Sequence, residues 1–327
     1  MSANTMYNVS TNPHVLHKDS TQSIMRDVTY ALIPATVFGI INIFVHSAAA
    51  GINSLLTIIV SIASAVAAEY IWEKCMKKPI TTGDWSAVVT GLLIGMNMPP
   101  RIPLYMPILG SAFAIIIVKQ LFGGIGQNFM NPALAARCFL LLSFGSYMNN
   151  FLIDGTTVDG ISSATPLAIL KGTSEGVYPT VGKLFLGNVG GTIGETSALL
   201  LIIGGLYLVY RKVISWKIPV IYTAVFAVFM LIFGGHGFDL NYVLCEVFGG
   251  GLMLGAWFMA TDYVSSPITP NGQIVYAVIL GCLTGIFRVF GNSAEGVSFA
   301  IIFTNILVPV IEMYTMPKAF GREGEKK

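Results

Sequence analysis

The sequence predicts an all-α polytopic membrane protein of about ten transmembrane helices, built as two inverted five-helix repeats with broken helices. Three observations predict it. Charge is scarce, with 18 Lys+Arg and 16 Asp+Glu in 327 residues, or 10%, where an ordinary soluble domain carries about 25%. Hydrophobic residues make up 54%, and mean hydropathy is +0.73. Apolar runs of spanning length recur along the chain. This composition excludes a disordered chain and a soluble globular enzyme. The net charge of +2 leaves no basic field for nucleic acid.

Residues 1–27 are polar and lack the apolar core of a signal peptide, so they read as a cytoplasmic N-terminal segment. The first span then acts as its own insertion signal. Apolar stretches follow at 28–46, 52–72, 84–98, 105–122 and 132–144, the first repeat. A second set falls at 195–210, 218–234, 246–260, 273–290 and 296–314. Several are shorter than the roughly 20 residues a straight span needs. Short spans interrupted by Gly and Pro are the pattern of broken or re-entrant helices. Residues 145–194 form the longest segment between spans, and 315–327 read as a solvated tail.

The basic residues orient the chain. With the N-terminus in the cytoplasm, twelve fall on cytoplasmic segments and three (Arg101, Lys171 and Lys183) on the outer side. Lys119, Arg137 and Arg288 lie in or at the ends of spans. This asymmetry follows the positive-inside rule. An even number of spans returns the C-terminus to the cytoplasm, and the 145–194 loop lies outside it. Loops of this length are uncommon unless functional or disordered.

The two halves share weak motifs. Gly91-Leu92-Leu93-Ile94-Gly95-Met96 precedes a break at Pro99-Pro100. Gly251-Leu252-Met253-Leu254-Gly255-Ala256 precedes a predicted break at Ser265-Ser266-Pro267. Lys119-Gln120-Leu121-Phe122-Gly123 aligns with Phe287-Arg288-Val289-Phe290-Gly291, and Asn131 loosely with Asn292. An odd number of spans per repeat sets the halves upside down relative to each other, and broken helices then meet near the midplane.

Cys75, Cys138, Cys245 and Cys282 are far apart and form no C-x-x-C pair. Neither a zinc site nor an iron–sulfur cluster can be built from them alone, and they read as small buried hydrophobes. Gly-Gly-Ile-Gly at 123–126 is not a dinucleotide fingerprint, because no βαβ pattern surrounds it. Charges inside spans are costly. Glu69, Lys119, Arg137, Arg288 and Glu312 lie near predicted span ends, where snorkelling to the interface is expected.

Within the outer loop stands Asp159-Gly160-Ile161-Ser162-Ser163-Ala164-Thr165-Pro166. Thr165 before Pro166 suits a helix N-cap, with the helix running on to Lys171. A hydroxyl there also lies beside free backbone N–H groups that favour an anion. The segment resembles the flavinylation motif, Asp-Gly-x-Ser-x-Ala-Thr, of the NqrB/RnfD family of membrane proteins. The resemblance implies that Thr165 carries FMN through a phosphoester bond, installed by an exported flavin transferase, with Asp159, Ser162 and Ala164 as elements of the motif. Ser163 stands where the family pattern has Gly, which changes the turn's access to positive φ.

Two further blocks carry the resemblance. Gly123-Gly124-Ile125-Gly126-Gln127-Asn128-Phe129-Met130-Asn131-Pro132-Ala133-Leu134 is similar to the segment that, in members with a non-covalent riboflavin, contributes to its pocket. Asn128 and Asn131 are then ligand groups; the other reading is that their amides satisfy backbone at a broken helix. Phe258-Met259-Ala260-Thr261-Asp262-Tyr263-Val264-Ser265-Ser266-Pro267 matches a third block, with Asp262 either capping the turn to Ser265 or lying near an ion or cofactor path. Arg137 and Arg288 are candidates for holding a flavin phosphate, a ribityl chain or a partner's carboxylate.

The short leader favours the RnfD branch. The resemblance therefore implies a subunit of an Rnf-type complex in the bacterial cytoplasmic membrane, coupling electron flow between ferredoxin and NAD to sodium or proton transport with other membrane and peripheral subunits. Nicotinamide is then handled by another subunit. A channel or secondary transporter without a redox cofactor shares the inverted-repeat signature. The Asp159–Thr165 motif separates the two readings.

Overall fold

The computed structural model describes residues 19–151, 166–171, 180–187, 191–235, 237–291 and 296–317. Among these residues there is no strand. The two longest helices open the chain: α1 (Thr21–His46) and α2 (Ala48–Cys75). Ser20 and Ser23 form a reciprocal capping box at the start of α1, satisfying two otherwise orphan donors. Then come α3 (Ser86–Met96), α4 (Tyr105–Ala112), which continues as a π-helix over Phe113–Gln120, and α5 (Pro132–Ser143).

Among the described residues of the predicted outer loop are three short helices: α6 (Gly145–Met148), α7 (Pro166–Leu170) and α8 (Val181–Leu186). The second half holds α9 (Ala198–Tyr210), α10 (Lys217–Phe233), α11 (Leu240–Phe248), α12 (Leu252–Leu254) running into a π-helix over Gly255–Met259, α13 (Pro270–Phe290) and α14 (Val297–Thr315). Helical structure thus stands at each of the ten predicted stretches. Among the described residues four helices are long and apolar enough to cross a membrane, or five if α11 with Leu252–Met259 is one span bent by 62°. Five shorter apolar helices accompany them.

Only 39% of the most apolar window of α1, and 39% of that of α2, is buried. Ile33, Val37, Ile41, Phe44, Ile52, Leu55 and Ile59 face outward. An apolar surface of this extent on a water-soluble monomer would be anomalous; a bilayer is its natural solvent, and the chain is an integral membrane protein.

Helix association in lipid relies on close packing of small residues. Gly91 shows it. A Cβ there would lie 2.7 Å from Ile62 Cα and 2.8 Å from the Ser61 carbonyl, so α3 rests directly on the backbone of α2. Ser61 Oγ bridges the same contact by donating to the Gly91 carbonyl at 2.7 Å.

One expectation is extended and one corrected. Helix does end before Ser265-Ser266-Pro267, as expected, between Met259 and Pro270; the eighth predicted stretch also holds a further interruption at Gly249-Gly250-Gly251 that the sequence pattern does not mark. Gly250 has φ +65, a conformation open to glycine and costly for other residues. Both aligned motifs precede their expected breaks, Gly91–Met96 that at Pro99-Pro100 and Gly251–Ala256 that at Ser265-Ser266-Pro267; only the second also follows an interruption. Of the cysteines, Cys138 and Cys245 are buried as expected, but Cys75 is exposed and Cys282 half-buried.

Candidate functional site

Three groups of buried polar residues lie along the molecule. The first lines a cavity of about 90 Å³, or about 780 Å³ with the part open to solvent. Its walls are apolar residues such as Met25, Val28, Leu93, Ile214 and Phe258, and Ser86, Lys119, Asn128, Asn131 and Asp262 bring polar groups to it. Lys119 is 3% exposed and pairs with Glu69, which is fully buried. Its Nζ also donates to Ser86 Oγ at the start of α3. Gln120 Nε2 donates to Glu69 Oε1 at 3.0 Å, and Glu73 accepts from Thr81 N at 2.9 Å.

Asn131 is the N-cap of α5. Its Oδ1 accepts from Ala133 N at 3.0 Å and Leu134 N at 3.3 Å, while its Nδ2 donates to the Met259 carbonyl at 3.2 Å. Asn128 Nδ2 donates to the Met130 carbonyl at 3.0 Å. Both amides thus serve backbone, and both also line the cavity. Asp262 accepts from Ser265 Oγ at 2.9 Å, the turn cap expected. Burial pushes its carboxyl above the ordinary aspartate range, opposed by hydrogen bonds from Ser265, the Val264 N–H and Asn128.

The second group sits where the broken helices meet. Arg137 Nη1 lies 3.0 Å from Glu195 Oε1 and donates to Asn97 Oδ1 just past the end of α3. Gly251, at the other break, is so close that a Cβ would fall 2.6 Å from Glu195 Oε1 and 3.3 Å from Arg137 Nη1. The buried strip that holds Glu195 also repairs the end of α3. Gly194 N donates to the Met96 carbonyl at 2.7 Å, and Ile193 N to the Met98 carbonyl at 3.1 Å. Carbonyls freed by a broken helix away from water need such partners.

The third group joins α11 and α13. Arg288 pairs with Glu246 at 2.9 Å and donates to the Gly249 carbonyl at 3.1 Å. Its guanidinium lies 4.9 Å from the centre of the Phe226 ring. A pocket of about 140 Å³ opens beside it, walled in part by Leu167, Leu170 and Lys171.

Glu69, Lys119, Arg137 and Arg288 therefore do not snorkel. Each is buried in an ion pair within the chain. Desolvation is costly, and a fixed partner offsets it. Glu312, half-buried, accepts from Ile268 N at 2.9 Å near the end of α14. Sequence reasoning misses Glu195, Glu246, Asn97 and Ser86. The two glutamates stand at span boundaries, where an acid is unremarkable; their one signal is an acid facing a basic residue of another span. Among the described residues no three His, Cys, Asp or Glu side chains are grouped as a metal site. Asp159, Ser162, Ala164 and Thr165 lie outside the described residues, but α7 begins at Pro166, as the Thr165-Pro166 pattern predicts.

The sequence profile of the NQR2, RnfD, RnfE family matches residues 8–321. The chain belongs to this family. It is 46% identical over 321 residues to the D subunit of the Na(+)-translocating ferredoxin:NAD(+) oxidoreductase complex of Acetobacterium woodii, covering 98% of this chain and 96% of that relative. It is 42% identical to the D subunit of the proton-translocating ferredoxin:NAD(+) oxidoreductase complex of Clostridium ljungdahlii, covering 97% and 96%. It is 35% identical to the D subunit of the ion-translocating oxidoreductase complex of Yersinia enterocolitica, covering 96% and 98%.

Proposed function

We propose that this chain is the RnfD-type subunit of an ion-translocating ferredoxin:NAD oxidoreductase complex, not catalytic towards NAD by itself. The observation that carries this reading is similarity along nearly the whole chain to relatives named as that subunit. Other membrane and peripheral subunits are its partners. The finer reading places it in the bacterial cytoplasmic membrane with ten spans in two inverted five-helix repeats, both termini in the cytoplasm and the 145–194 loop outside. Five apolar helical stretches in each half support this, as does discontinuity at the third stretch of each.

FMN on Thr165 is the proposed electron carrier, installed by an exported flavin transferase. The support is the Asp159–Thr165 pattern together with the outer address given by the basic residues. A second, non-covalent riboflavin is assigned to the cavity beside Asn128. Its apolar walls suit a flat ring, and its polar groups suit the ring's donors and acceptors. Flavin supplies electron-transfer chemistry when bound; the protein sets its position and electrostatics. Within the chain, Asn131 and Met259 fix the cavity's shape. Lys119 and Asp262 set its charge.

The test is direct. The chain is co-expressed with a flavin transferase, denatured on a gel and examined for flavin fluorescence in the band. Wild type glows and Thr165→Ala is dark. A dark wild-type band, or a fluorescent Thr165→Ala band, sinks the attachment. A transporter without a redox group has no use for this motif.

A further inference from the structure

Among the buried ion pairs of the described residues, Lys119–Glu69 contributes least to holding the backbone together. Arg288 donates to the Glu246 and Gly249 carbonyls at the end of α11. Arg137 links the discontinuous helical elements through Asn97 and the close approach of Gly251. Among the described residues Lys119 gives its side-chain hydrogen bonds to side chains alone, Glu69 and Ser86. Glu69 likewise accepts from no backbone N–H there, only from Lys119 and Gln120. A buried pair adds little stability over apolar side chains of the same shape. An ionisable group at membrane depth points instead to function.

The pair is placed unequally about the cavity beside Asn128. Lys119 lines that cavity and Glu69 does not. Among the lining residues Lys119 is the one cation and Asp262 the one carboxylate. Both stand by the ends of π-helices, Lys119 in Phe113–Gln120 and Asp262 shortly after Gly255–Met259, and π-helical turns recur at functional sites. Ser86 Oγ donates to Asp84 Oδ1 at 2.6 Å, so its lone pairs are left for the Lys119 ammonium. An ammonium has three N–H donors. Glu69 and Ser86 take two of them, and the third is left for the cavity. Glu69 Oε2 is buried with no hydrogen-bond partner, a cost that caps no helix and mends no backbone.

We infer that Lys119 is the charge-compensating residue for the non-covalent flavin assigned to this cavity, and that Glu69 is the positioning residue that tempers its charge. The inference rests on the riboflavin reading above. Uptake of two electrons, from ferredoxin-linked electron flow, and one proton, from solvent, adds one negative charge to an isoalloxazine ring. Lys119 offsets that charge within apolar walls, where a fixed cation counts for more than in water. Charge placed beside the ring sets its potential. Because Lys119 lines the cavity and Glu69 does not, the cation acts on the ring more strongly than its partner acid. The pair therefore raises the potential, and Glu69 limits by how much.

The experiment is a redox titration of the full chain, expressed without a flavin transferase and solubilised in detergent with added riboflavin. Excess riboflavin is removed, and the flavin retained is quantified after denaturation. The midpoint potential is read from flavin absorbance during titration with dithionite and mediator dyes. Glu69→Gln keeps the shape of the site and withdraws the counter-charge, so the potential rises. Lys119→Met combined with Glu69→Leu removes both charges, and the potential falls. Each change in the ratio of reduced to oxidised flavin is expected to be about tenfold, or about 30 mV for a two-electron couple. The opposite signs are decisive, because a merely loosened fold moves both variants the same way. Lys183→Gln, on α8, leaves the potential unchanged. If the double variant does not fold, Glu69→Gln decides alone. Bound flavin whose potential is unmoved or lowered in Glu69→Gln would overturn this inference and leave the cavity assignment standing. Absence of retained flavin from wild type would overturn the cavity assignment, and the inference with it.

Discussion

Arg137 Nη1 and Glu195 Oε1 are 3.0 Å apart, and the two discontinuous helical elements of the fold converge on that pair. Asn97, beyond the end of α3, accepts from Arg137, and Gly251, before α12, packs against both charges. The pair ties the first half of the sequence to the second where helical backbone is interrupted. Removing Arg137 alone, as in Arg137→Met, leaves Glu195 buried without its cation. A cost of about 3–5 kcal/mol is expected, read as a lower thermal unfolding temperature in detergent. The double variant Arg137→Met, Glu195→Leu recovers most of the loss, since a neutral pair carries no desolvation penalty. A double variant as unstable as the single one would show that the charges themselves hold the junction.

Gly91 tests the packing of α3 on α2. Gly91→Val drives two methyl groups into Ile62 and Ser61, and overpacking of this kind costs about 1–3 kcal/mol or more. Gly83→Ala is the control, because a Cβ there meets nothing within 4 Å. Unfolding temperatures of the two variants are compared. Equal values would mean that the helices separate at little cost.

The two asparagines of the inner cavity are expected to separate. Asn131→Ala removes an N-cap, worth about 0.5–2 kcal/mol, and strands the Met259 carbonyl, so it lowers the unfolding temperature. Asn128→Ala gives up its bonds to the Met130 carbonyl and the Asp262 carboxyl, and lowers the content of extractable, non-covalent flavin with a smaller loss of stability than Asn131→Ala. Unchanged flavin in Asn128→Ala would count against the assigned riboflavin pocket.

Asp262 predicts a pH dependence. Its carboxyl is raised by burial above the value it has in the unfolded chain. Between those two values the folded protein holds more protons, so stability falls as pH rises through that window. Asp262→Asn removes this dependence. The variant is expected to gain in unfolding temperature relative to wild type at neutral pH, with the difference shrinking towards pH ~4. A difference that does not vary with pH would exclude Asp262 as the titrating group.

Much of the fold is legible in the sequence because hydropathy is a local property. Each predicted apolar stretch holds helix, and Pro132 and Pro166 open helices as the Asn-Pro and Thr-Pro patterns of the sequence predict. The break at Gly249–Gly251 is not legible in this way. Glycine runs are common in membrane helices, and whether one bends depends on what packs beside it, here Glu195 and Leu167. The site is legible unevenly. Motif alone finds Asn128, Asn131 and Asp262, which do share a cavity, whereas it points to neither Glu195 nor Glu246.

By itself the sequence determined the solvent, the helices and the side on which each segment is expected to lie. Those follow from hydropathy and from the placement of lysine and arginine, which act residue by residue. Tertiary structure alone decided what becomes of the few charges inside the helices. Lys119, Arg137 and Arg288 find acids 50, 58 and 42 residues away along the chain. Burial cost is set by neighbours in space, and no local pattern names them.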